Sequence, residues 1–391
     1  MPIIVFGLAV FGLITSTVFT GMVLAAVAGY LRDRRVLAAM PVDGGFSPAL
    51  SVFKPLAGAE PDLEAHLATF FEQDYADYEI LFCARSASDA GLEAARRVAA
   101  KYPHIPAKFF STGGQPPYIN DKAISLELME KNAAHGILVI SDSDVRVTPD
   151  YLRAVAMPFV QERVGGMCCP YRGVAGQGGL WARLEAVGMS VEMTSGVLVA
   201  RMMEGMQFTL GPTMAFRRET IRKMGGFKVT ADYCADDFIL GNETYKLGET
   251  VVLSHHAIDH MVLNSRFMAS MKHQVRWMKS TRFSRPKGHF GTAVTFSMPF
   301  GLLAWAEAAF MGHPWWGLAL FAWAVATRLV LSIAVGRKVV RDPSWFGLLV
   351  LYPIRDLMGF FFWLASYTGS TILWRGQVYE LLPGGKMRAV K

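Results

Sequence analysis

Residues 3–31, IIVFGLAVFGLITSTVFTGMVLAAVAGYL, contain no charged side chain. About 20 apolar residues suffice to cross the hydrocarbon core of a bilayer as a helix. A cleaved secretory signal would carry a basic start and a shorter apolar core. The stretch therefore reads as an uncleaved anchor, and residues 1–35 form the first expected domain. Arg32, Arg34 and Arg35 follow at once. Lys and Arg gather on the cytoplasmic flank of a span, so what comes next is expected in the cytoplasm.

Composition agrees with a membrane protein that carries a soluble part. Only 18% of residues are charged and 52% are hydrophobic. Soluble domains average about 25% charged. The net charge of +7 reads first as cytoplasmic-face Lys and Arg. It reads second as affinity for anionic lipid or a phosphorylated substrate. No nucleic-acid partner is expected. Cys83, Cys168, Cys169 and Cys234 form no CxxC and no zinc spacing, so reduced thiols in a reducing compartment are expected.

Residues 47–270 look soluble, with strands and helices alternating. Strands are expected at 50–56, 78–84, 107–112 and 136–144. Helices are expected at 61–73, 90–102 and 121–133. Such alternation predicts a mostly parallel α/β sheet with helices on its faces. Ligands of such sheets sit at the carboxyl ends of the strands. The Met-rich stretch 180–207 fits either an amphipathic core helix or a helix lying in the membrane interface around a lipid-accepting groove.

Met271 to Lys287, MKHQVRWMKSTRFSRPK, is the densest basic cluster, with six Lys or Arg. A basic interfacial segment is expected over 271–290. The remainder, 291–391, reads as a membrane region of two to four segments. Its last apolar run, 345–374, holds Arg355 and Asp356. It fits one long span, or an interfacial helix plus a span. The side on which the basic tail lies (Arg375, Lys386, Arg388, Lys391) follows from that choice.

Four places could carry chemistry. Asp142 and Asp144 form a DxD pair after an apolar strand, a pattern that can grip a hard divalent cation with phosphate oxygens. Without a ligand, such residues are often only loop acids or helix caps. Asp236 and Asp237 precede a helix-like run. They fit first-turn acids favoured by the helix dipole, or a general base for a hydroxyl. Asp89 follows a strand and reads as an N-cap. Arg276 and Trp277 offer a phosphate-matching fork and a flat apolar face. The cations Lys279, Arg282, Arg285 and Lys287 read as a flank that snorkels to the interface. His255, His256 and His260 lack the HExxH pattern, so no metal site is expected there.

Asp89, Asp142, Asp237 and HQVRW, in this order between an anchor and a membrane tail, resemble the ceramide glucosyltransferases and related bacterial lipid glycosyltransferases. KPLAGAEPDLEAHLATFFEQDYADYEILFC, SDSDVRVTPD and GPTMAFRRETIRKMGGF followed by ADDF extend the resemblance over about Ser51 to Arg282. It implies a GT-A-type nucleotide-sugar-binding domain, inversion, and a divalent metal, Mn²⁺ or Mg²⁺. It implies Asp89 near the uridine, Asp142 at the metal and diphosphate, Asp144 completing the metal site, and Asp237 as base. Arg276 and Trp277 match the family's (Q/R)xxRW. His273 stands where Gln or Arg is usual, in place of a diphosphate contact. The implied partners are a UDP-sugar, UDP-glucose or UDP-N-acetylglucosamine, and a lipid acceptor, ceramide or a hopanoid. The implied place is a bacterial inner membrane with the catalytic domain cytoplasmic. The basic stretch would close over the nucleotide site at the membrane surface. A processive polysaccharide synthase shares these motifs but generally has more spans. A non-catalytic lipid-binding scaffold is the reading from another class.

Overall fold

The computed structural model describes residues 2–39, 46–176, 178–264 and 266–390, with side chains in the first range described to residue 35. The element order is α1 (Pro2–Ala39), β1 (Leu50–Pro55), α2 (Leu63–Phe71), β2 (Tyr78–Ala84), α3 (Ala90–Ala99), β3 (Ala107–Ser111), α4 (Asp121–Asn132) and β4 (Ile137–Ser141). Next come β5 (Val145–Arg146), α5 (Tyr151–Ala156), β6 (Val164–Cys168), β7 (Tyr171–Ala175), α6 (Leu180–Val187), α7 (Thr194–Glu204), β8 (Thr213–Arg217), α8 (Arg218–Lys223), α9 (Asp236–Lys246), β9 (Thr250–Leu253) and β10 (Ile258–Val262). The chain ends with α10 (Phe267–Ser284), α11 (Pro286–Thr292), α12 (Met298–Phe310), α13 (Pro314–Leu331), α14 (Trp345–Ala365), β11 (Thr371–Trp374), β12 (Gln377–Leu381) and β13 (Met387–Ala389).

The chain divides into two compact units, each discontinuous in sequence. One contains Met40–Tyr171, Glu204–Met261 and Gln377–Lys391. The other contains Met1–Ala39, Arg172–Met203 and Val262–Gly376.

The first unit is built on a seven-stranded sheet of order β3-β2-β1-β4-β8-β6-β9. β1 lies parallel between β2 and β4, β2 pairs β3 in parallel, and β6 pairs β9 in parallel. β8 alone runs against its neighbours, β4 and β6. The expected mostly parallel α/β class is therefore what forms. Strand order moves outward from β1 to β3 and then jumps back to β4. Right-handed crossovers place α2 and α3 on one face and α4 on the other. α2 packs on α3, and α4 packs across β1, β2 and β3. Covered on both sides, the central strands bury Val52, Phe53, Ile80, Leu81, Phe82, Leu138, Val139 and Ile140 completely. That double cover is why they read as continuous apolar runs rather than alternating ones.

The chain's end belongs to this unit. β12 pairs β13, Met387 N–H donates to Asp232 O at 2.7 Å, and Lys386 bridges Tyr233.

In the second unit α12 and α13 form a hairpin and α1 packs on both. Ala9, Leu13, Met298, Ala304 and Ala324 make the dry seam. Three helices are long and apolar enough to cross a membrane: Pro2–Arg35, Pro314–Arg337 and Trp345–Ala365. The pair Pro286–Thr295 and Met298–Phe310, bent by 45°, is a broken span or a re-entrant loop. The apolar run 345–374 forms one helix only as far as Ala365.

Buried charge here is paired. Arg328 reaches Asp356 at 2.7 Å, and Asp356 accepts the N–H groups of Ser297 and Met298 at the start of α12. Arg328 also donates to Thr20 of α1 at 3.0 Å. Arg355 meets Glu192 at 3.1 Å. Glu192 sits in a π-helical turn, Gly188–Met193, that joins α6 to α7. An added Cβ at Gly188 would stand 2.4 Å from Arg355 Nε, and one at Gly359 would stand 2.8 Å from Arg355 Nη1. Both glycines make room for the arginine. The Met-rich stretch is thus core over most of its length, with Met189 buried, while Met202 and Met203 at its end are exposed.

Candidate active site

Asp142 and Asp144 lie just past the carboxyl end of β4, where an open α/β sheet binds ligands. Asp142 Oδ1 meets Lys122 Nζ at 2.7 Å, and Lys122 also reaches Asp236 Oδ2 at 3.1 Å. Lys122 sits in the first turn of α4, whose N-cap is Asn120. A cation there opposes the helix dipole. The two carboxylates outweigh both that and its burial, and they raise the Lys122 ammonium above its ordinary range. Asn120 Nδ2 donates to Tyr233 O at 3.0 Å, which ties this helix start to the loop before Asp236.

A second lysine comes from the sheet itself. Lys54 of β1 is fully buried, its Nζ 2.5 Å from Asp142 O and 3.7 Å above the Phe70 ring. Burial pushes its ammonium down to about 7, against the pull of Asp142, Asp144 and Glu60.

Asp144 pairs with His260 Nε2 at 3.1 Å, across the β5–β10 pairing. Burial favours its neutral form, but His260 and Lys54 outweigh burial and hold it below the usual carboxylate range. Its Oδ1 is buried and has no hydrogen-bond partner. Glu60, which accepts from Ser143 Oγ at 2.9 Å, is raised by burial and by Asp144.

Asp237 begins α9. Its Oδ2 accepts Gly211 N–H at 2.9 Å and its Oδ1 accepts Phe238 N–H at 2.8 Å. Burial, then the neighbouring charge of Asp236, raises its carboxyl to about 6, although both N–H groups and Lys122 pull the other way. Tyr171 marks how close the acids lie. Its phenol is raised by burial and then by Asp237, Asp144 and Asp142.

Asp89 is the N-cap of α3, accepting Gly91 N–H at 2.8 Å. It also accepts Gly58 N–H at 3.0 Å, which draws the loop after β1 against the helix start. A Cβ at Gly91 would lie 2.6 Å from Gly58 O, so this approach requires glycine.

His273, Arg276 and Trp277 belong to the other unit, on α10. The His273 and Trp277 rings are 4.4 Å apart. The neighbouring Gln274 is buried and donates to Ser270 Oγ at 2.9 Å. The expectation that Lys279 and Arg282 snorkel to lipid is corrected. Lys279 donates to Thr371 O at 3.0 Å, and Arg282 donates to Ser366 O at 2.5 Å and Gly369 O at 3.3 Å. The carbonyls past the end of α14 lack intrahelical partners, and these cations satisfy them.

A divalent metal can be tested against these residues. No three His, Cys, Asp or Glu side chains among the described residues form a ready-made cage. A Mg²⁺-type site needs only one or two carboxylates when phosphates supply the rest. The orphaned Asp144 Oδ1 beside Asp142 fits that requirement.

Sequence reasoning passed over Lys54 and Lys122, and weighed His260 only as a metal ligand rather than as a partner of Asp144. The signals existed: a lysine inside a buried strand, a lysine at a helix start, and two ionisable residues, Asp259 and His260, inside an apolar strand.

The family profile of glycosyl transferase family 21 matches residues 11–387. The chain belongs to this family. Among curated relatives of this family 21 chain, ceramide glucosyltransferase 1 of Caenorhabditis elegans is 23% identical over 350 residues, 88% of this chain and 74% of that protein. Ceramide glucosyltransferase 3 of the same organism is 24% identical over 346 residues, 87% and 74% of the two chains. Among solved structures, the mannosyltransferase PcManGT of Pyrobaculum calidifontis, in complex with GDP-Man and Mn²⁺, aligns at 20% identity and a TM-score of 0.47. That alignment covers 90% of this family 21 chain and 99% of PcManGT.

Proposed function

We propose that this family 21 glycosyltransferase moves a hexose from a UDP-sugar to a hydroxyl of a membrane lipid, with inversion, in one displacement. UDP-glucose and ceramide are the first choices. UDP-N-acetylglucosamine with a hopanoid polyol is the alternative pair. The observation that carries the reading is Asp237: a half-buried acid raised to about 6 beside the DxD carboxylates at the sheet's ligand-binding edge. A base with a pKa near the working pH is the effective one for an alcohol.

In this reading Asp237 accepts the acceptor's hydroxyl proton as that oxygen attacks the anomeric carbon. The bond from the anomeric carbon to the diphosphate oxygen breaks, and UDP departs with the electron pair. Asp89 holds the loop after β1 for the uridine side. Asp142 and Asp144 would hold the divalent cation, which when bound supplies positive charge to the diphosphate. His273 and Arg276 donate to the same diphosphate, and Trp277 offers an apolar face to sugar or acceptor. The lipid stays in the bilayer, because extracting it costs about 0.8 kcal/mol per CH₂. We place the sheet unit on the cytoplasmic side of a bacterial inner membrane, following Arg32, Arg34 and Arg35.

The test is transfer from a panel of labelled UDP-sugars to ceramide and to a hopanoid polyol, by purified protein in nanodiscs with Mn²⁺ or Mg²⁺. One lipid product, absent with Asp237→Asn, supports the reading and names both substrates. A long water-soluble polymer would move the chain to the polysaccharide synthases. No product from any donor, with nucleotide still bound, would leave a lipid-binding scaffold.

A further inference from the structure

Glu185 is 2% exposed, in the last turn of α6 between Leu184 and Ala186. Burying a carboxylate costs several kcal/mol unless it is paired and hydrogen-bonded. Glu185 is given three donors, all within its own unit. Ser270 Oγ donates to Oε2 at 2.6 Å, and Asn264 Nδ2 donates to Oε1 at 3.1 Å. His273 Nδ1 stands 2.7 Å from Oε1. Gln274 supports the set from behind by donating to Ser270. Burial alone would raise the Glu185 carboxyl, but His273, Ser270 and Asn264 outweigh it and hold it below its usual range.

We propose that Glu185 is a positioning residue for the diphosphate contact made by His273. This rests on the UDP-sugar reading above. The imidazole is fixed on two sides, by the carboxylate at Nδ1 and by the Trp277 ring 4.4 Å away. A carboxylate on one ring nitrogen fixes which nitrogen faces a ligand. With Nδ1–H committed to Glu185, Nε2 is the nitrogen left for a ligand. The ring then spans two anions, with an N–H directed at the carboxylate on one side and at a phosphate oxygen on the other. A Gln at position 273 would bring a neutral amide, and an Arg would bring its own permanent charge. A His does the work of either only with a buried anion behind it. The Glu185 pair thus accounts for the one position at which HQVRW departs from (Q/R)xxRW.

The experiment is calorimetric binding of UDP and of UMP to the full chain in nanodiscs, for the wild type, Glu185→Gln, His273→Gln and the double variant. UMP lacks the β-phosphate, so it reports the rest of the nucleotide site. Glu185→Gln is expected to weaken UDP roughly tenfold, the worth of one charge-assisted hydrogen bond, and to leave UMP within about twofold. In the His273→Gln background the same change is expected to do nothing further. His273→Arg should restore UDP binding in the Glu185→Gln background. Equal losses for UDP and UMP, or the same loss with His273 already replaced, would show a merely structural role and overturn the proposal. Should Glu185→Gln not fold, ¹⁵N-histidine spectra of the wild type decide instead. The His273 signal, assigned by its loss in His273→Gln, must respond to UDP and not to UMP; no difference overturns the proposal. A wild type that binds another nucleoside diphosphate and not UDP would defeat the donor assignment alone. The cycle would then be run with that diphosphate.

Discussion

Lys122 Nζ lies 2.7 Å from Asp142 Oδ1, so a cation is built in beside the first carboxylate of the DxD pair. The same ammonium holds Asp236 at 3.1 Å. Removing one partner of a buried ion pair typically costs about 3–5 kcal/mol, because the other charge stays behind. Lys122→Met should therefore lower the thermal midpoint strongly and abolish donor binding. Adding Asp236→Asn should recover part of the stability. Equal midpoints for the single and double variants would show that Lys122 and Asp236 are not coupled.

Asp237 acting as the base predicts a pH dependence. Its carboxyl stands at about 6, and only the ionised form can take a proton. The rate constant kcat/KM for transfer should rise with pH through about 6 and level off above it. Asp237→Asn should cut transfer about 10²- to 10⁴-fold while UDP binding persists. Stability runs the opposite way. A carboxyl raised in the fold favours the folded state at low pH, and that contribution is lost as pH rises through about 6. A profile without the acid limb would argue against Asp237 as the base.

Metal removal gives a third outcome. Chelation should stop transfer reversibly, and Mn²⁺ or Mg²⁺ should restore it. Asp144→Asn should raise the metal concentration for half-maximal activity by roughly tenfold or more, if Asp144 is one of the carboxylates that hold the cation. Full activity of Asp144→Asn at unchanged metal concentration would remove Asp144 from the site.

Gly188 tests the packing around Arg355. A Cβ there would sit 2.4 Å from Arg355 Nε. Gly188→Ala should destabilise by about 1–3 kcal/mol, the range for overpacking a filled core. Gly196, at which a Cβ would meet nothing within 4 Å, is the control, and Gly196→Ala should be neutral or slightly stabilising. Identical melting of the two variants would contradict the close fit at Gly188.

The last apolar helix makes a topological prediction. Arg172 donates to Val340 O at 3.2 Å and to Arg341 O at 3.0 Å, in the loop just before α14 and within the same unit. Phe346, Val350, Ile354, Phe361 and Leu364 form an exposed apolar stripe on α14, while Tyr352, Arg355 and Asp356 are buried. With one face apolar and exposed and the other packed around buried charge, α14 is expected to lie along the membrane surface. Cysteines introduced at Ser344 and Thr368 should react with an impermeant thiol reagent from the same face. Labelling from opposite faces would make α14 a span.

The strands β1, β2 and β4 were legible because each is a short apolar run closed by a turn, and burial on both faces leaves that pattern unbroken. Asp142, Asp144 and Asp237 were legible because their place after a strand or before a helix is local. Lys122, His260 and Glu185 were not. Each acquires its meaning from a partner far along the chain: His260 from Asp144, 116 residues away, and His273 from Glu185, 88 residues away. Lys279 and Arg282 misled for the same reason, since nothing near them in sequence announces the open carbonyls at 366, 369 and 371.

Thr20, in the first helix, accepts a hydrogen bond from Arg328, and Ser16 of the same helix donates to Ser297. An anchor that only tethered could be exchanged for any apolar helix, or cut away to give a soluble enzyme for crystallisation. Here either step would strip partners from the buried ionic centre of the second unit. Expression of this chain therefore has to keep its first residues, and a swapped leader would have to reproduce two hydroxyls one helical turn apart.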